Sequence, residues 1–428
     1  MRLIKNFDQL ASTPQRKILL EIIESALISI QPKKIVQKNF SIINSTLKIQ
    51  DKLVNLKDFQ RIFLLGFGKG SASISKHIEK ILGKFLTKGY VIDVEQEKFS
   101  NIEFTQGTHP LPSLTNFLFT KTAIQQLNNL TTKDIIIIVI AGGGSALFEI
   151  PHRITLDKLI EVNKALLKSG ANIYEMNVVR KHLSKVKGGG LAKLLYPAKI
   201  VSLIASDVPG NDLSVIASGP TAKDDTTIDD AQNVLAKYNL TDNLSLSKDD
   251  FIETPKEDKY FKNVVNILIL SNKTALIAME QKAKELGYKS IIYSDKFQGE
   301  AKIVGKELIK NTSPHTVLLA GGETTVKVTG KGVGGRNQEV VLGALPHLSN
   351  DTVIASFDSD GWDNSSFAGA IGDFQTLEKA KKLGLNPQDF LESNNTLPFF
   401  QKAGDGIITN KLPCNVSDLM VVVKNENY

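Results

Sequence analysis

Residues 61–82, RIFLLGFGKGSASISKHIEKIL, join a run of bulky apolar residues to an amphipathic segment through a glycine-rich turn. The apolar run predicts a strand buried on both faces, and the segment that follows predicts a helix. Gly68 permits a sharp turn, and Lys69 places a positive charge beside the free N–H groups of the helix start. The turn therefore indicates a site for an anion, although a tight turn with an incidental lysine explains the same residues.

The same alternation of apolar runs and helical segments continues along the chain. Further runs are IIIIVIA (135–141), KIVSLIAS (199–206), VVNILILS (264–271), TVLLA (316–320) and TVIASF (352–357). Continuous apolar runs separated by amphipathic helices are typical of parallel α/β sheets, in which ligands bind at the carboxyl ends of the strands. A polar stretch at 240–260 resembles a linker. We therefore expect two α/β domains, 1–240 and 241–428.

Composition limits the class of protein and its surroundings. Of 428 residues, 42% are hydrophobic and 23% are charged, values typical of a soluble globular protein. The N-terminus lacks the features of a secretory signal, and the single cysteine, Cys414, excludes a disulfide framework. The net charge of +7 is scattered rather than clustered. These features predict a cytoplasmic protein that binds a small anionic substrate and neither nucleic acid nor membrane. The oligomeric state does not follow from composition, and we expect a monomer or homodimer.

A second glycine-rich segment, AGGGSALFEIP, follows the apolar run at 135–140. Gly142, Gly143 and Gly144 can present backbone N–H groups to a phosphate or carboxylate, with Ser145 beside them. The segment does not match the G-x-S-x-G pattern of a serine nucleophile. We therefore expect an anion cradle.

The segment NVVRKHLSKVKGGGLA, residues 177–192, has its polar residues at helical spacing. Asn177, Arg180 and Ser184 fall on one helix face, and Lys187 precedes another triple glycine. We predict that Asn177, Arg180 and Lys187, together with Ser145, bind the substrate. A solvated basic face is the alternative interpretation.

Acidic residues follow two other apolar runs. Asp207 comes directly after the run at 199–206, at a position suited to a catalytic or metal-binding carboxylate. In FDSDGWDNSSFAGAIGD, residues 357–373, Asp360 is one of several aspartates without the spacing of a calcium loop. We predict that Asp207 and Asp360 hold Mg²⁺ together with a nucleotide phosphate.

The stretch GGETTVKVTGKGVGGRNQE, residues 321–339, combines six glycines with one of the chain's few arginines. Gly322, Glu323 and Thr324 end an apolar run, and Arg336 and Asn337 begin a predicted helix. A guanidinium offers a planar fork that a lysine cannot imitate. We predict a mobile loop that lies against phosphate and presents Arg336. Gly322, Glu323, Thr324 and Asn337 are predicted to bind the nucleotide or its phosphates, together with Gly68 and the glycines at 142–144.

In this order the segments resemble those of the class II glycerate 2-kinases, whose C-terminal region, about 315–423 here, is called the MOFRL domain. The resemblance implies ATP-dependent phosphorylation of D-glycerate to 2-phosphoglycerate, with Mg²⁺, at an active-site cleft between two Rossmann-like α/β domains with mostly parallel sheets. It further implies that Lys69 and Arg336 are catalytic. Asp207 is then expected to orient or deprotonate the C2 hydroxyl.

The chain departs from this family at three places, and other activities stay open. Ser113 and Leu114 stand where the family has acids, Asn211 replaces an aspartate, and residues 409–416 lack the family's glycine and threonines. An NAD(P)H-dependent hydroxypyruvate reductase, with Asp93 on the ribose, is one alternative. A related sugar-acid kinase and a non-catalytic sensor are the others.

Overall fold

In the computed structural model, which describes residues 2–425, the chain forms two compact units. One, called here the continuous unit, contains Ile35–Ile269. The other, the discontinuous unit, combines Met1–Lys34 with Leu270–Tyr428. These bounds differ from the predicted division at residue 240, because the polar stretch there contributes buried residues to the continuous unit. Phe251 and Leu244 pack against Leu235 in one of its apolar clusters.

Helices and strands are numbered here along the chain. The helices are α1 (Phe7–Leu10), α2 (Pro14–Ser29), α3 (Pro32–Asn39), α4 (Ser71–Leu82), α5 (Leu114–Gln126), α6 (Gly144–Leu147), α7 (Leu156–Ser169), α8 (Ile173–His182), α9 (Gly190–Leu194), α10 (Ile228–Lys237), α11 (Thr241–Leu244), α12 (Asn272–Glu285), α13 (Ala301–Lys310), α14 (Arg336–Ala344), α15 (Phe374–Lys382), α16 (Pro387–Glu392) and α17 (Thr396–Ala403). The strands are β1 (Phe40–Ile43), β2 (Thr46–Ile49), β3 (Lys52–Asn55), β4 (Arg61–Phe67), β5 (Lys88–Asp93), β6 (Ile102–Gln106), β7 (Asp134–Ile140), β8 (Lys199–Ala205), β9 (Val264–Leu270), β10 (Lys289–Glu300), β11 (Thr316–Thr325), β12 (Thr352–Asp358), β13 (Gly369–Gly372), β14 (Gly406–Ile407) and β15 (Asp418–Lys424). None of the described helices is long and apolar enough to cross a membrane.

The main sheet of the continuous unit has the strand order β6-β5-β4-β7-β8-β9. Strands β4 to β8 pair in parallel, which confirms the α/β prediction for this part of the chain. The order reverses between β4 and β7, the two central strands. In open α/β sheets this switch point is where ligands bind. The turns after β4 and β7 carry two of the glycine-rich segments of the sequence, those at 66–70 and 142–144.

The continuous apolar run of β7 explains its central position. Every residue from Asp134 to Ile140 is buried, because helices cover both faces of the sheet. Burying each large aliphatic side chain contributes about 1.5–3 kcal/mol relative to leaving it exposed. At the end of β4, the ring of Phe67 stacks on Phe148 with centroids 4.3 Å apart. This packing holds the two glycine turns against each other.

The sheet of the discontinuous unit is mixed, with the order β10-β11-β15-β12-β13-β14. Strands β10 and β11 are parallel, whereas the other described pairs are antiparallel. The expectation of mostly parallel sheets is therefore confirmed for the first sheet and wrong for this one. The apolar sequence of β15 indicates burial on both faces but not direction. Its first residue, Asp418, consequently pairs with Gly322 of β11 and Asp358 of β12.

Helix α2 belongs to the discontinuous unit although it lies near the N-terminus. Thr13 caps its start by accepting a hydrogen bond from the Arg16 N–H (3.2 Å), and Pro14 occupies the first helical position. The buried Arg16 guanidinium donates to Asp373 (2.6 Å) and to Asp405 (2.6 Å). These bonds join the two ends of the chain within one unit.

Candidate functional site

Lys69 lies at the switch point, in the turn between β4 and α4. Gly68 has a φ of +110°, and a Cβ atom there would lie 2.3 Å from the carbonyl oxygen of Ala141. The Lys69 N–H donates to the Gly142 carbonyl oxygen at 2.7 Å. The lack of a side chain at Gly68 therefore lets the backbones of the two turns approach each other closely. This contact places Lys69 beside Gly142.

Lys69, His109 and Asp207 surround the glycines of the second turn. A Cβ atom on Gly142 would lie 2.0 Å from Asp207 Oδ2, and one on Gly143 would lie 2.7 Å from the His109 ring and 3.5 Å from Lys69 Cε. The absence of side chains at both glycines lets the three polar side chains converge. The structure thus brings together two of the predicted catalytic residues, Lys69 and Asp207.

His109 is a member of this group that the sequence did not single out. The residue as a whole is exposed. Partial burial of the ring, and to a smaller extent the charge of Lys69, nevertheless lower the pKa of His109 to about 4. The imidazole is therefore neutral near pH 7. Only its position in the fold, against Gly143, connects it with the site.

Ser145 and Asn177 are joined through a third residue, Ser218. The hydroxyl groups of Ser145 and Ser218 lie 2.8 Å apart, and Ser218 donates to Asn177 Oδ1 at 2.8 Å. Ser218 has a positive φ of 60°, an uncommon conformation for a residue other than glycine. The buried Asn177 Nδ2 has no hydrogen-bond partner within residues 2–425. A ligand that accepts a hydrogen bond would complete this group.

Arg180 and Lys187 lie near one buried carboxylate, that of Glu149. Lys187 is 2% exposed and its ammonium bonds to Glu149, which also accepts a hydrogen bond from Ser184 at 2.5 Å. Burial lowers the pKa of Lys187, while Glu149 opposes that effect. Arg180 Nε donates to Asn163 at 2.7 Å. Lys187 is thus a buried partner of Glu149. The residues that were predicted to form one basic face, Arg180 and Lys187, contact different partners.

Arg336, the first residue of α14, is held by three carboxylates of the discontinuous unit. Its Nε donates to Asp418 at 2.7 Å, and its terminal nitrogens lie 3.1 Å from Glu323 and 3.4 Å from Asp358. Burial raises the pKa of Asp418 to about 6, although Arg336 opposes the shift. Burial and the charges of Asp360 and Asp418 also raise the pKa of Asp358. The sequence did not indicate Asp418, because its contact with Arg336 depends on the direction of β15.

Asp363 caps the start of α14. Its carboxylate accepts from the N–H groups of Asn337 (3.1 Å) and Gln338 (3.0 Å). The buried Asn337 side chain donates to Asp418 at 2.7 Å and accepts from Ser356 at 2.5 Å. Asn337, predicted to bind nucleotide or phosphate, is thus placed as an internal partner of Asp418.

The glycines of residues 330–335 have a packing explanation. Cβ atoms on Gly330 and Gly332 would lie 2.2 Å and 2.5 Å from backbone or side-chain atoms of residues 393–395. The side chain of Asn394 accepts from the Thr329 N–H (2.7 Å) and the Gly330 N–H (2.8 Å). The predicted mobile phosphate loop is therefore attached to the chain between α16 and α17.

A pocket of about 960 Å³ lies beside Arg336, entirely within the discontinuous unit. Its walls include Glu323, Thr324 and Arg336, and also Trp362 and Thr396. A Cβ atom on Gly322, the residue before Glu323, would lie 1.9 Å from the Phe297 carbonyl oxygen, so this glycine serves strand pairing. The predicted residues Glu323, Thr324 and Arg336 thus share one pocket.

The sequence predicts metal binding at Asp207 and Asp360. Among residues 2–425 no group of three or more His, Cys, Asp or Glu side chains is arranged to hold a metal ion. Mg²⁺ that is bound with a nucleotide needs only one or two protein carboxylates. Asp360 accepts one hydrogen bond at each oxygen, from the Trp362 N–H and from Asn415, both at 3.0 Å. Each oxygen of Asp360 keeps a further lone pair, so this carboxylate fits the smaller requirement.

Asp93 does not fit the role of a ribose ligand. The residue is buried at the end of β5 and accepts from the N–H groups of Ala72 (2.9 Å) and Val94 (2.7 Å). Burial raises its pKa to about 6. Asp93 thus stabilises the first turn of α4. The hydroxypyruvate reductase alternative, which needs an acidic residue on the ribose of NAD(P)H, is left without the residue that the sequence offered for this role.

Two of the three places where the chain departs from the resembled family make local structural contacts. Ser113 caps α5 by accepting from the Asn116 N–H at 3.4 Å. In the segment 409–416, the Leu412 N–H donates to the Asp360 carbonyl oxygen at 2.7 Å. Lys411 lies 5.2 Å from the centre of the Trp362 ring.

Comparison with known proteins agrees with this architecture. A family model described as a domain of unknown function, DUF4147, matches residues 18–253, and that of the MOFRL family matches 316–418. A glycerate 2-kinase of Pyrococcus horikoshii is 36% identical, over 95% of this chain and 97% of its own. A protein of Agrobacterium vitis named as a hydroxypyruvate reductase is 32% identical, over 95% and 94%. The crystal structure of glycerate kinase from Thermotoga maritima superposes with a TM-score of 0.85 at 31% identity, over 95% and 99%.

Proposed function

Because the chain belongs to the family of the glycerate 2-kinases, we propose that it transfers a phosphoryl group from ATP to D-glycerate and forms 2-phosphoglycerate. The observation that carries the proposal is the convergence of Lys69 and Asp207 on the glycines at the switch point. A cation beside a cradle of bare backbone suits a phosphate, and a carboxylate there suits an acceptor hydroxyl.

The proposed catalytic residues are Lys69, Asp207 and Arg336. Asp207 orients the C2 hydroxyl of glycerate and accepts its proton as the oxygen attacks phosphorus. Lys69 and Arg336 stabilise the negative charge on the transferred group. His109, neutral at pH 7, adds no charge of its own beside Lys69.

The remaining predicted residues bind substrate and donor. Ser145, Asn177 and Arg180 hold the glycerate carboxylate. Lys187, which is paired with Glu149, adds its positive charge near Arg180. Phosphate oxygens of ATP meet the backbone N–H groups of Gly142 and Gly143, whereas the Gly144 N–H donates to the Ala141 carbonyl oxygen at 3.1 Å. Asp207 and Asp360 would hold Mg²⁺, which would supply positive charge for the phosphate oxygens. We place the enzyme in the cytoplasm as a monomer or homodimer.

The test is an assay of ADP release with ATP and a panel of small hydroxy acids, combined with phosphorus NMR of the product. We expect D-glycerate to give the highest kcat/KM and the phosphorus signal to couple to the C2 proton. Faster turnover of another sugar acid would identify that acid, rather than D-glycerate, as the preferred substrate. Oxidation of NADH by hydroxypyruvate without any ADP release would refute the proposal.

A further inference from the structure

Trp362 is the single tryptophan of the chain and lines the pocket beside Arg336. It is 47% exposed, and its backbone N–H donates to Asp360 at 3.0 Å. The ammonium of Lys411 lies 5.2 Å from the ring centre. An indole ring in a pocket offers a large apolar surface for a planar ligand.

Two hydroxyl groups in the walls of the same pocket have unused hydrogen-bonding capacity. Thr324 and Thr396 are 2% and 1% exposed, and neither Oγ1 has a partner in the described part of the chain. Buried polar groups are nearly always hydrogen-bonded, so an unpaired one at a pocket wall indicates a ligand or its water. Their position suits the hydroxyl groups of a sugar.

The pocket contains charged groups of both signs, which suit different parts of a ligand. Arg336 supplies a cation, while Glu323 and Asp358 supply acceptors for hydroxyl groups or for a metal ion. Val328, 75% exposed, adds apolar surface. A volume of about 960 Å³ is suited to a ligand much larger than a three-carbon acid.

We infer that this pocket binds the nucleoside of the phosphoryl donor, with Trp362 as the stacking surface of the base, Thr324 and Thr396 near the ribose, and Arg336 toward the phosphates. The inference rests on the proposed function, since that function supplies a nucleoside triphosphate as the donor. Because every base has a face that can stack on an aromatic ring, the pocket is expected to accept nucleotides with little preference for the base.

Because the chain has one tryptophan, its fluorescence tests the inference on the unaltered protein. ADP with Mg²⁺ is expected to change Trp362 emission saturably and to protect it from acrylamide quenching, whereas D-glycerate or inorganic phosphate alone leaves both unchanged. ADP that inhibits turnover without changing emission or quenching would overturn the inference. A response to D-glycerate alone would also overturn it.

Variants provide a second readout. Trp362→Ala is expected to raise the KM for ATP about tenfold more than the KM for D-glycerate, whereas Trp362→Phe keeps most of the affinity. Phe374→Ala, another exposed aromatic residue of the same unit, serves as the control. Equal effects on both KM values would overturn the inference. Turnover without any emission response to ADP contradicts the inference alone, and an emission response without turnover contradicts the proposed function alone.

Discussion

Two residues without side chains determine which polar groups meet at the switch point. Gly142 and Gly143 leave room for the carboxylate of Asp207 and the ring of His109, and Lys69 N–H bonds to the backbone of Gly142. The position of Lys69 therefore follows from two hydrogen-bonded turns rather than from a side-chain partner. A substitution of the lysine should change the chemistry more than the fold.

We expect Lys69→Ala to lower kcat by on the order of 10², because a donor aimed at developing charge typically contributes this much. Lys80→Ala, at an exposed position in α4, is the matched control and should keep wild-type kcat. Steady-state ADP release measures both. A Lys69→Ala enzyme with the kcat of the control would exclude a catalytic role for Lys69.

The raised pKa of Asp93 predicts a pH effect on stability. Its pKa is about 6 in the folded chain against an ordinary 3.8, so the folded state binds more protons between these values and stability falls as pH rises. Asp93→Asn removes this fall. The difference in free energy of unfolding between the variant and the wild type should therefore shift by about 1 kcal/mol in favour of the variant when the pH is raised from 5 to 7.

Urea unfolding at the two pH values measures this difference. Asp249→Asn, at a largely exposed position of the same unit, is the control and should show no comparable gain. An Asp93→Asn protein whose stability changes with pH as the wild type does would show that Asp93 is not the titrating group.

At the scale of the element, the start of helix α14 places Arg336 directly after the glycine-rich segment. The helix starts where Asp363 accepts from its first N–H groups, and this contact requires a glycine at 335. The segment before it is attached to residues 393–397 by backbone and side-chain hydrogen bonds. The placement of Arg336 thus depends on a cap from a distant part of the chain.

Gly335→Ala should weaken this cap. Its Cβ atom would lie 2.1 Å from the Asp363 carboxyl carbon, so the carboxylate must leave the N–H groups that it caps. Loss of a cap costs about 1 kcal/mol, and the buried carboxylate loses further hydrogen bonds. We expect a loss of at least about 2 kcal/mol in unfolding free energy together with a lower kcat.

Gly287→Ala is the control for this substitution. Gly287 has a φ of +89° and open space around it, so only the backbone conformation opposes a side chain, at a cost of about 1 kcal/mol. Its kcat should remain that of the wild type. Equal losses of stability in the two variants would contradict a specific role of the Asp363 cap.

At the scale of the molecule, the discontinuous unit depends on contacts between the two ends of the chain. Arg16 of α2 is buried against Asp373 and Asp405, which are 357 and 389 residues away in sequence. Asn6 adds a hydrogen bond to the Gly406 carbonyl oxygen at 2.8 Å. The N-terminal helices are therefore part of the structure that carries Arg336.

Arg16→Met should reduce the free energy of unfolding by about 3–5 kcal/mol, because it leaves two buried carboxylates without their main cation. Arg2→Met removes an exposed pair with Asp8 and should cost no more than about 1 kcal/mol. Urea unfolding compares the two variants. Similar losses would show that the buried contacts of Arg16 contribute little beyond a surface pair.

The alternation of apolar runs and helices determines the α/β class, the parallel sheet of the continuous unit and the strand-end positions of Lys69, Ser145 and Asp207. These features follow from the local sequence, because periodicity reports which face of an element is buried. The glycine-rich turns also mark the two strand ends that meet at the switch point, because close backbone contacts there require residues without side chains.

Long-range packing, by contrast, sets the direction of β15, the division of the chain into units, and the partners of Arg336. An apolar run has the same pattern in either direction, so the contact between Asp418 and Arg336 cannot be found from the sequence. The glycines at 330–335 have the composition of a flexible loop, yet residues 393–397 and Asp363 occupy the space that side chains there would need. Burial is encoded locally, whereas the choice of partner depends on residues that are distant in the chain.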